Sequence, residues 1–351
     1  MSAQPPNILS PQIRPPNIRP PMAIVPGGPA AEDDVHVDGD HHHASHHGAH
    51  HQRPRVRGQR ALVLAAVWVP FIGFAFAVWS LWGRGVGPVE LSLLAVMYAI
   101  SVVGIEVGFH RYFSHGAFNA PPSVRYALAV AGSMAMQGPV MFWVAIHRRH
   151  HRFSDQPGDP HSPHLHGDGV AGTLRGLAHA HIGWLFRHED TDWRQYVPDL
   201  LRDRAIFDAN MRYGSWVLLG LALPAAAGGL LQQSWAGVGQ GFLWGGLVRI
   251  FLAHHATWSV NSICHWAGSR TFATRDRSTN NLWLALISLG GSWHHNHHAF
   301  PRSATTTIRW WQIDPSWWFI RGLAAAGLAS NLRKPTARVV QMEGAPHERR
   351  H

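Results

Sequence analysis

Three histidine runs punctuate this chain: His110-Arg-Tyr-Phe-Ser-His115, His147-Arg-Arg-His150-His151 and His294-His295-Asn-His297-His298. Neutral imidazole suits iron, zinc, copper and nickel, and geometry and availability choose among these more than affinity does. In an α-helix positions i, i+3 and i+4 share a face, so His147, His150 and His151 project together, as do His294, His297 and His298. Each triad can then offer three rings to one metal centre. His110 and His115 stand five apart, a spacing that ordinary helical geometry does not align, so this pair is expected to straddle a helix end. Asn261 and His265, in Asn-Ser-Ile-Cys-His, are four apart. Eight or nine imidazoles are too many for one ion, and two ions fit the count. No Asp or Glu is interleaved with the His; the nearest acids, Asp155 and Asp159, are placed to orient ring nitrogens from behind. A chain with 28 His can produce one such run by chance. Two triads and a flanking pair, each at the end of an apolar stretch, point to a shared metal site.

The apolar stretches that must position these runs are long enough to cross a bilayer. Residues 61–82 carry no charge, and about 20 apolar residues suffice for a helical span. Residues 91–109, 214–231 and 238–263 are three further spans. The last contains Arg249, His254 and His255, which should face protein or water instead of lipid. Residues 125–146 are also apolar, but a crossing there would put the second histidine run on the opposite side from the first. This segment is read as interfacial or re-entrant, broken near Gly138-Pro139. Arg53, Arg55, Arg57 and Arg60 precede the first span and nine Arg fall between His147 and Arg212, whereas residues 232–237 carry no charge. By the positive-inside rule both termini and the central loop are cytoplasmic. No secretory signal peptide is expected. The expectation is an all-α integral membrane protein, with four transmembrane helices and a cytoplasmic helical cap holding the histidine site.

Composition narrows the function further. The net charge of +10 comes from Arg dispersed beside the spans, which suits anionic headgroups and not nucleic acid. With Cys264 as the single cysteine, no disulfide framework, C-x-x-C pair or cysteine-held iron–sulfur cluster can form. Electrons must therefore come from a separate donor. Residues 1–52 form a Pro-rich and His-rich zone, including His41, His42, His43, His46, His47, His50 and His51. Such a segment buries too little apolar surface to fold and chelates metal through composition alone. The expected organisation is a tail at 1–52, one membrane domain at 53–335 and a second tail at 336–351.

At these residues the chain resembles the membrane fatty acid desaturases, especially their acyl-CoA desaturase branch. The similarity runs over about 61–335 and is carried by HRYFSH at 110–115, HRRHHRFSD at 147–155, DPH at 159–161, HIGWL at 181–185, NSICH at 261–265 and HHNHHAFP at 294–301. It implies a di-iron centre held by His110, His115, His147, His150, His151, His265, His294, His297 and His298, with Asn261 reaching a metal through water. His295 stands where the family usually has Asn, and so is a neighbour of the site and not a ligand. His161 and His181 match positions outside the ligand set and take structural or substrate-side roles, while His254 and His255 are hydrogen-bonded helix residues. The reaction implied is insertion of a cis double bond into a long acyl chain, with O2 as co-substrate and no tightly bound organic cofactor. Electrons would come from a ferredoxin, or from a b-type cytochrome with its reductase. Trp143 and Trp258 match aromatic positions along the family's acyl channel.

Two departures from the family pattern bear on substrate and metal. Where animal members carry Arg-Asp that helps bind coenzyme A, this chain has Ala145-Ile146, which leaves the acyl carrier open among coenzyme A, carrier protein and lipid. Before the third run the usual Gly-Glu-Gly or Gly-Glu-Ser is Gly290-Gly291-Ser292, so an acid behind the ligands is missing there. A hydroxylase or ketolase of the same superfamily would use the same metals. A metal transporter would need polar residues lining the spans, three of which are almost wholly apolar.

Overall fold

Helix α1 (Arg57–Arg84) turns Leu62, Trp68, Ile72, Phe76 and Trp79 outward, as a span surrounded by lipid must. The computed structural model describes residues 57–187 and 191–336, together with Val340. The two expected tails lie outside the described residues except for Thr336 and Val340. Four helical stretches are long and apolar enough to cross a membrane: Arg60–Gly83, Pro88–Ser114, Tyr213–Gln232 and Trp235–His265. They coincide with the four expected spans, and among the described residues the only β pairing is three isolated bridges.

The second span begins as α2 (Pro88–Val103), with Pro at its first turn, where a missing N–H costs nothing. It continues as a π-helical segment, Gly104–Ser114, which ends at His115. The apolar stretch that follows forms α3 (Pro122–Met134) and α4 (Val140–Phe153). At 13 residues, α3 reaches about 20 Å, short of the roughly 30 Å hydrocarbon core. The break between α3 and α4 contains Met136 (φ 60°) and Gly138 (φ 98°), as the Gly-Pro pair indicated. This pair of helices is not among the crossing candidates.

Against α4 pack α6 (Trp193–Tyr196) and α8 (Arg204–Met211), joined through α7 (Pro198–Arg202), while α5 (Gly169–His181) packs on the fourth span. Val197, Leu200, Ile206 and Ala209 join Val140, Met141 and Val144 in the main buried cluster. The third span is α9 (Tyr213–Gln232). The fourth runs through α10 (Trp235–Gly241), a π-helical segment Phe242–Val248, α11 (Arg249–Ser262) and a 3₁₀ turn, Ile263–His265. Beyond it lie α12 (His294–Ala299) and α13 (Pro315–Ala325).

Arg249 faces protein, as its position inside a span demands. Fully buried, it donates to the Ser101 hydroxyl at 2.9 Å and to the carbonyls of Met134, Gly220 and Gly245 at 2.6, 2.6 and 3.0 Å. These acceptors belong to the second span, the end of α3, the third span and the fourth. One guanidinium therefore ties the re-entrant pair to the bundle, replacing the water that hydrocarbon cannot supply. Close backbone approach completes the contact: a Cβ on Gly104 would strike the backbone nitrogen of Gly132 on α3.

Candidate metal centre

The three histidine runs and His265 converge into two groups. His110, His115, His147, His151 and His297 form one, and His150, His265, His294 and His298 form the other. Within the first, Nε2 atoms lie 2.8 Å apart for His115 and His147, 3.0 Å for His110 and His297, and 2.9 Å for His151 and His297. Within the second, His265 and His294 are 3.0 Å apart, His294 and His298 3.0 Å, and His150 and His298 3.4 Å. The spans deliver His110, His115 and His265, while α4 and α12 deliver the rest.

The grouping corrects two expectations about spacing. Neither triad serves a single centre. At 3.6 residues per turn, positions i and i+4 diverge by about 40°, while i+3 falls about 60° to the other side. His147 and His151 therefore join one group and His150 the other, and on α12 His294 and His298 are separated from His297 in the same way. The second correction concerns His110 and His115. His115 does cap its helix, but that helix is π over Gly104–Ser114, and its wider turn brings residues five apart onto one flank. Their ring centroids are 5.2 Å apart. π-helical turns recur at functional sites for this kind of reason.

Carboxylates stand behind the rings. Asp159 Oδ1 is 3.0 Å from His150 Nδ1, and Asp155 Oδ2 is 2.8 Å from His265 Nδ1, where orienting acids were expected. Two further acids were not anticipated. Glu106 Oε2 is 3.1 Å from His110 Nδ1, and Asp276 Oδ2 is 3.3 Å from His298 Nδ1. Glu106 lies four residues before His110, outside the first run but inside an apolar span. A lone acid in such a place is itself a functional signal. Asp276 comes from the loop after the fourth span, where no periodicity marks it.

A ring whose Nδ1 faces a carboxylate has its proton fixed there and turns a bare Nε2 toward the group centre. Burial, and then the neighbouring rings, hold His115, His147, His151, His294 and His297 well below the ordinary imidazole range. His298 is pushed down to about 4 by burial, against the pull of Asp276. Burial opposes protonation of His150 too, but Asp159, then Asp155 and Asp276, outweigh it and hold that ring above its usual value. The hydrogen bond and charge of His265 hold Asp155 well below the usual carboxylate range despite burial, and His150 does the same for Asp159. Nine imidazoles in groups of five and four, with ring nitrogens about 3 Å apart, form a donor set suited to metal cations.

The family model for fatty acid desaturases matches residues 88–331. The chain belongs to the fatty acid desaturase family. It is 46% identical over 275 residues to the hex-5-enoyl-[acyl-carrier protein] acetylenase of Moorena producens (strain JHB), covering 78% of this chain and 86% of that relative. Identity to the icosanoyl-CoA 5-desaturase of Limnanthes douglasii is 38% over 251 residues, 70% of this chain and 65% of the relative. The Delta-9 acyl-lipid desaturase 1 of Arabidopsis thaliana is 36% identical over 254 residues, 70% of this chain and 76% of the relative. Membership makes the chain an oxidoreductase.

Other residues singled out in this desaturase sequence fall around the two groups. Trp143 stacks on His147, with centroids 5.1 Å apart and planes 19° apart. Its indole donates to Gln137, whose amide donates to the Thr257 hydroxyl. Trp258 is buried beside His254 and lies farther along α11 from the groups. His161 packs on His150 with centroids 4.4 Å apart, and burial pushes it down to about 3. His181 Nε2 meets His255 Nδ1 at 2.9 Å and its Nδ1 meets the Ser262 hydroxyl at 3.0 Å. His254 donates through Nε2 to the carbonyls of Ala135 and Met136. Asn261 is half-buried in the last turn of α11. His295 stands outside both groups: its Nε2 accepts from the Phe272 N–H at 2.9 Å and its Nδ1 lies 3.2 Å from the Ser278 hydroxyl. Ala145 and Ile146 are core residues.

Proposed function

We propose that this protein desaturates a long-chain fatty acyl substrate at a di-iron centre, with dioxygen and external electrons. The observation that carries the reading is the division of nine imidazoles into two adjoining groups with carboxylates behind four of the rings. One ion is held by His110, His115, His147, His151 and His297. The other is held by His150, His265, His294 and His298, with Asn261 reaching it through water. When bound, the two irons supply the oxidising power to take two hydrogens from an unactivated methylene pair, which side-chain acids and bases lack.

The protein's own contribution is positional. Glu106, Asp155, Asp159 and Asp276 fix ring tautomers. Trp143, pinned through Gln137 and Thr257, forms the channel wall beside the first group, and Trp258 continues it. Burial of the cluster excludes water that would compete for the site. The active site and both termini face the cytoplasm, as the Arg distribution supports, and a ferredoxin or b-type cytochrome with its reductase delivers electrons there. The acyl group arrives as a thioester or lipid. Burial of Ala145 and Ile146 argues against a charged coenzyme A contact at that point, and the relative named for an acyl-carrier protein substrate favours a protein-borne thioester. That same relative supports a second reading, removal of hydrogens from an existing double bond to leave a triple bond.

Metal analysis of the purified, iron-loaded protein tests the centre. The expected stoichiometry is two irons per chain. One iron per chain, or preferential uptake of zinc without product, contradicts the reading.

A further inference from the structure

Gly291 lies where relatives of the resembled branch carry an acid, and the structure shows what fills that space. A Cβ built on Gly291 would lie 2.5 Å from Glu106 Oε1, 2.8 Å from its Cδ and 2.9 Å from Oε2. A side chain there would have to displace the Glu106 carboxylate. The residue before it, Gly290, has φ +96°, which explains glycine at 290 by backbone conformation, whereas Gly291 has no positive φ. The space beside Gly291 is therefore filled by the Glu106 carboxylate, and the backbone conformation at 291 does not itself call for glycine.

The same carboxylate reaches His110 Nδ1 at 3.1 Å. Glu106 is buried along with His110, at 6% and 4% exposure, on a segment that carries no other charge for two turns before it. An acid inside a span is costly unless something local requires it. The His110 N–H is the partner it has here.

We infer that Glu106 is the positioning carboxylate for His110, and that it takes over from the second span the place left by the acid missing at position 291. The two sites are alternatives, since Glu at both positions would put two carboxylates into one volume. Glu106 acts through His110: it fixes the Nδ1 proton and aims Nε2 at the first group. Loss of such outer partners typically costs about 10–100-fold in metal affinity or activity.

The inference rests on the proposal that the first group holds a metal, and the test separates the two. Wild type, Glu106→Ala, Gly291→Glu and the double variant Glu106→Ala/Gly291→Glu are purified full-length, loaded with iron and challenged with a chelator. Iron retained per chain is then followed over time. Glu106→Ala is expected to release iron about 10–100-fold more readily than wild type. The double variant is expected to recover retention, because its new carboxylate rises from the opposite wall into the same volume. Gly291→Glu alone is expected to lose retention through crowding. A packing role for Glu106 would not be restored by a side chain from another backbone position. If alanine at 106 prevents folding, Glu106→Gln decides: it keeps the volume and an acceptor oxygen but not the charge, and reduced retention is expected. Wild-type retention in Glu106→Ala or Glu106→Gln, or no recovery in the double variant, overturns the inference. Absence of iron from wild type sinks the metal reading itself.

Discussion

Replacing His150 by alanine is expected to abolish oxidised product while the protein still inserts and folds, whereas His295→Ala keeps much of the activity. The two residues are both buried and lie in adjacent histidine runs, at 1% and 0% exposure, so exposure alone does not separate them. Their partners do. His150 places Nε2 in the second group and braces Nδ1 on Asp159, so its loss removes a ligand and strands an acid. A ligand should cost at least the upper end of what an outer partner costs, more than about 100-fold. Both nitrogens of His295 are used by the loop around Phe272 and Ser278. Its removal leaves one buried N–H without an acceptor, about 1–3 kcal/mol of stability. Product yield normalised to membrane-inserted protein distinguishes the cases, and equal loss in both variants refutes the ligand assignment.

The second large effect concerns the scaffold. Arg111, next to His110, is paired with Asp314 at 2.9 Å, and both side chains are 1% exposed. Asp314 also accepts from the Thr306 N–H at 3.0 Å, and caps α13 by accepting from the Trp317 N–H at 2.9 Å. It thus joins the end of the second span to the segment that follows α12. Asp314→Ala is expected to lower stability by about 3–5 kcal/mol, because it leaves a buried guanidinium without its counter-charge. Unfolding in detergent measures this. The double variant Arg111→Met/Asp314→Leu is expected to recover part of the loss, since replacing both partners removes the stranded charge. An Asp314→Ala protein as stable as wild type would show that the pair does not hold the site together.

The spans were legible because each is a predominantly apolar run of bilayer length, and the break between α3 and α4 because Gly138-Pro139 announces it. The histidines were legible as a set but not in their division. Helical spacing was read as one shared face, when the 40° and 60° offsets of i+4 and i+3 are large enough to send neighbours to different centres. The approach of His110 to His115 depends on a π-helical turn, which no residue in Gly104–Ser114 signals. Glu106 was visible in principle as an acid one α-helical turn from a histidine within an apolar stretch. Asp276 reaches His298 only through the path of an irregular loop, which spacing cannot encode.

The central claim is that this cluster oxidises acyl chains. Its most direct test is gas chromatography with mass spectrometry of total fatty acids from a desaturase-deficient host expressing the protein, beside the same host expressing His150→Ala. New unsaturated fatty acids made by the active protein and absent with His150→Ala are the predicted result, and their fragmentation locates the new bond. Hydroxylated products in place of unsaturated ones, or new unsaturated products that persist in His150→Ala, would contradict the account.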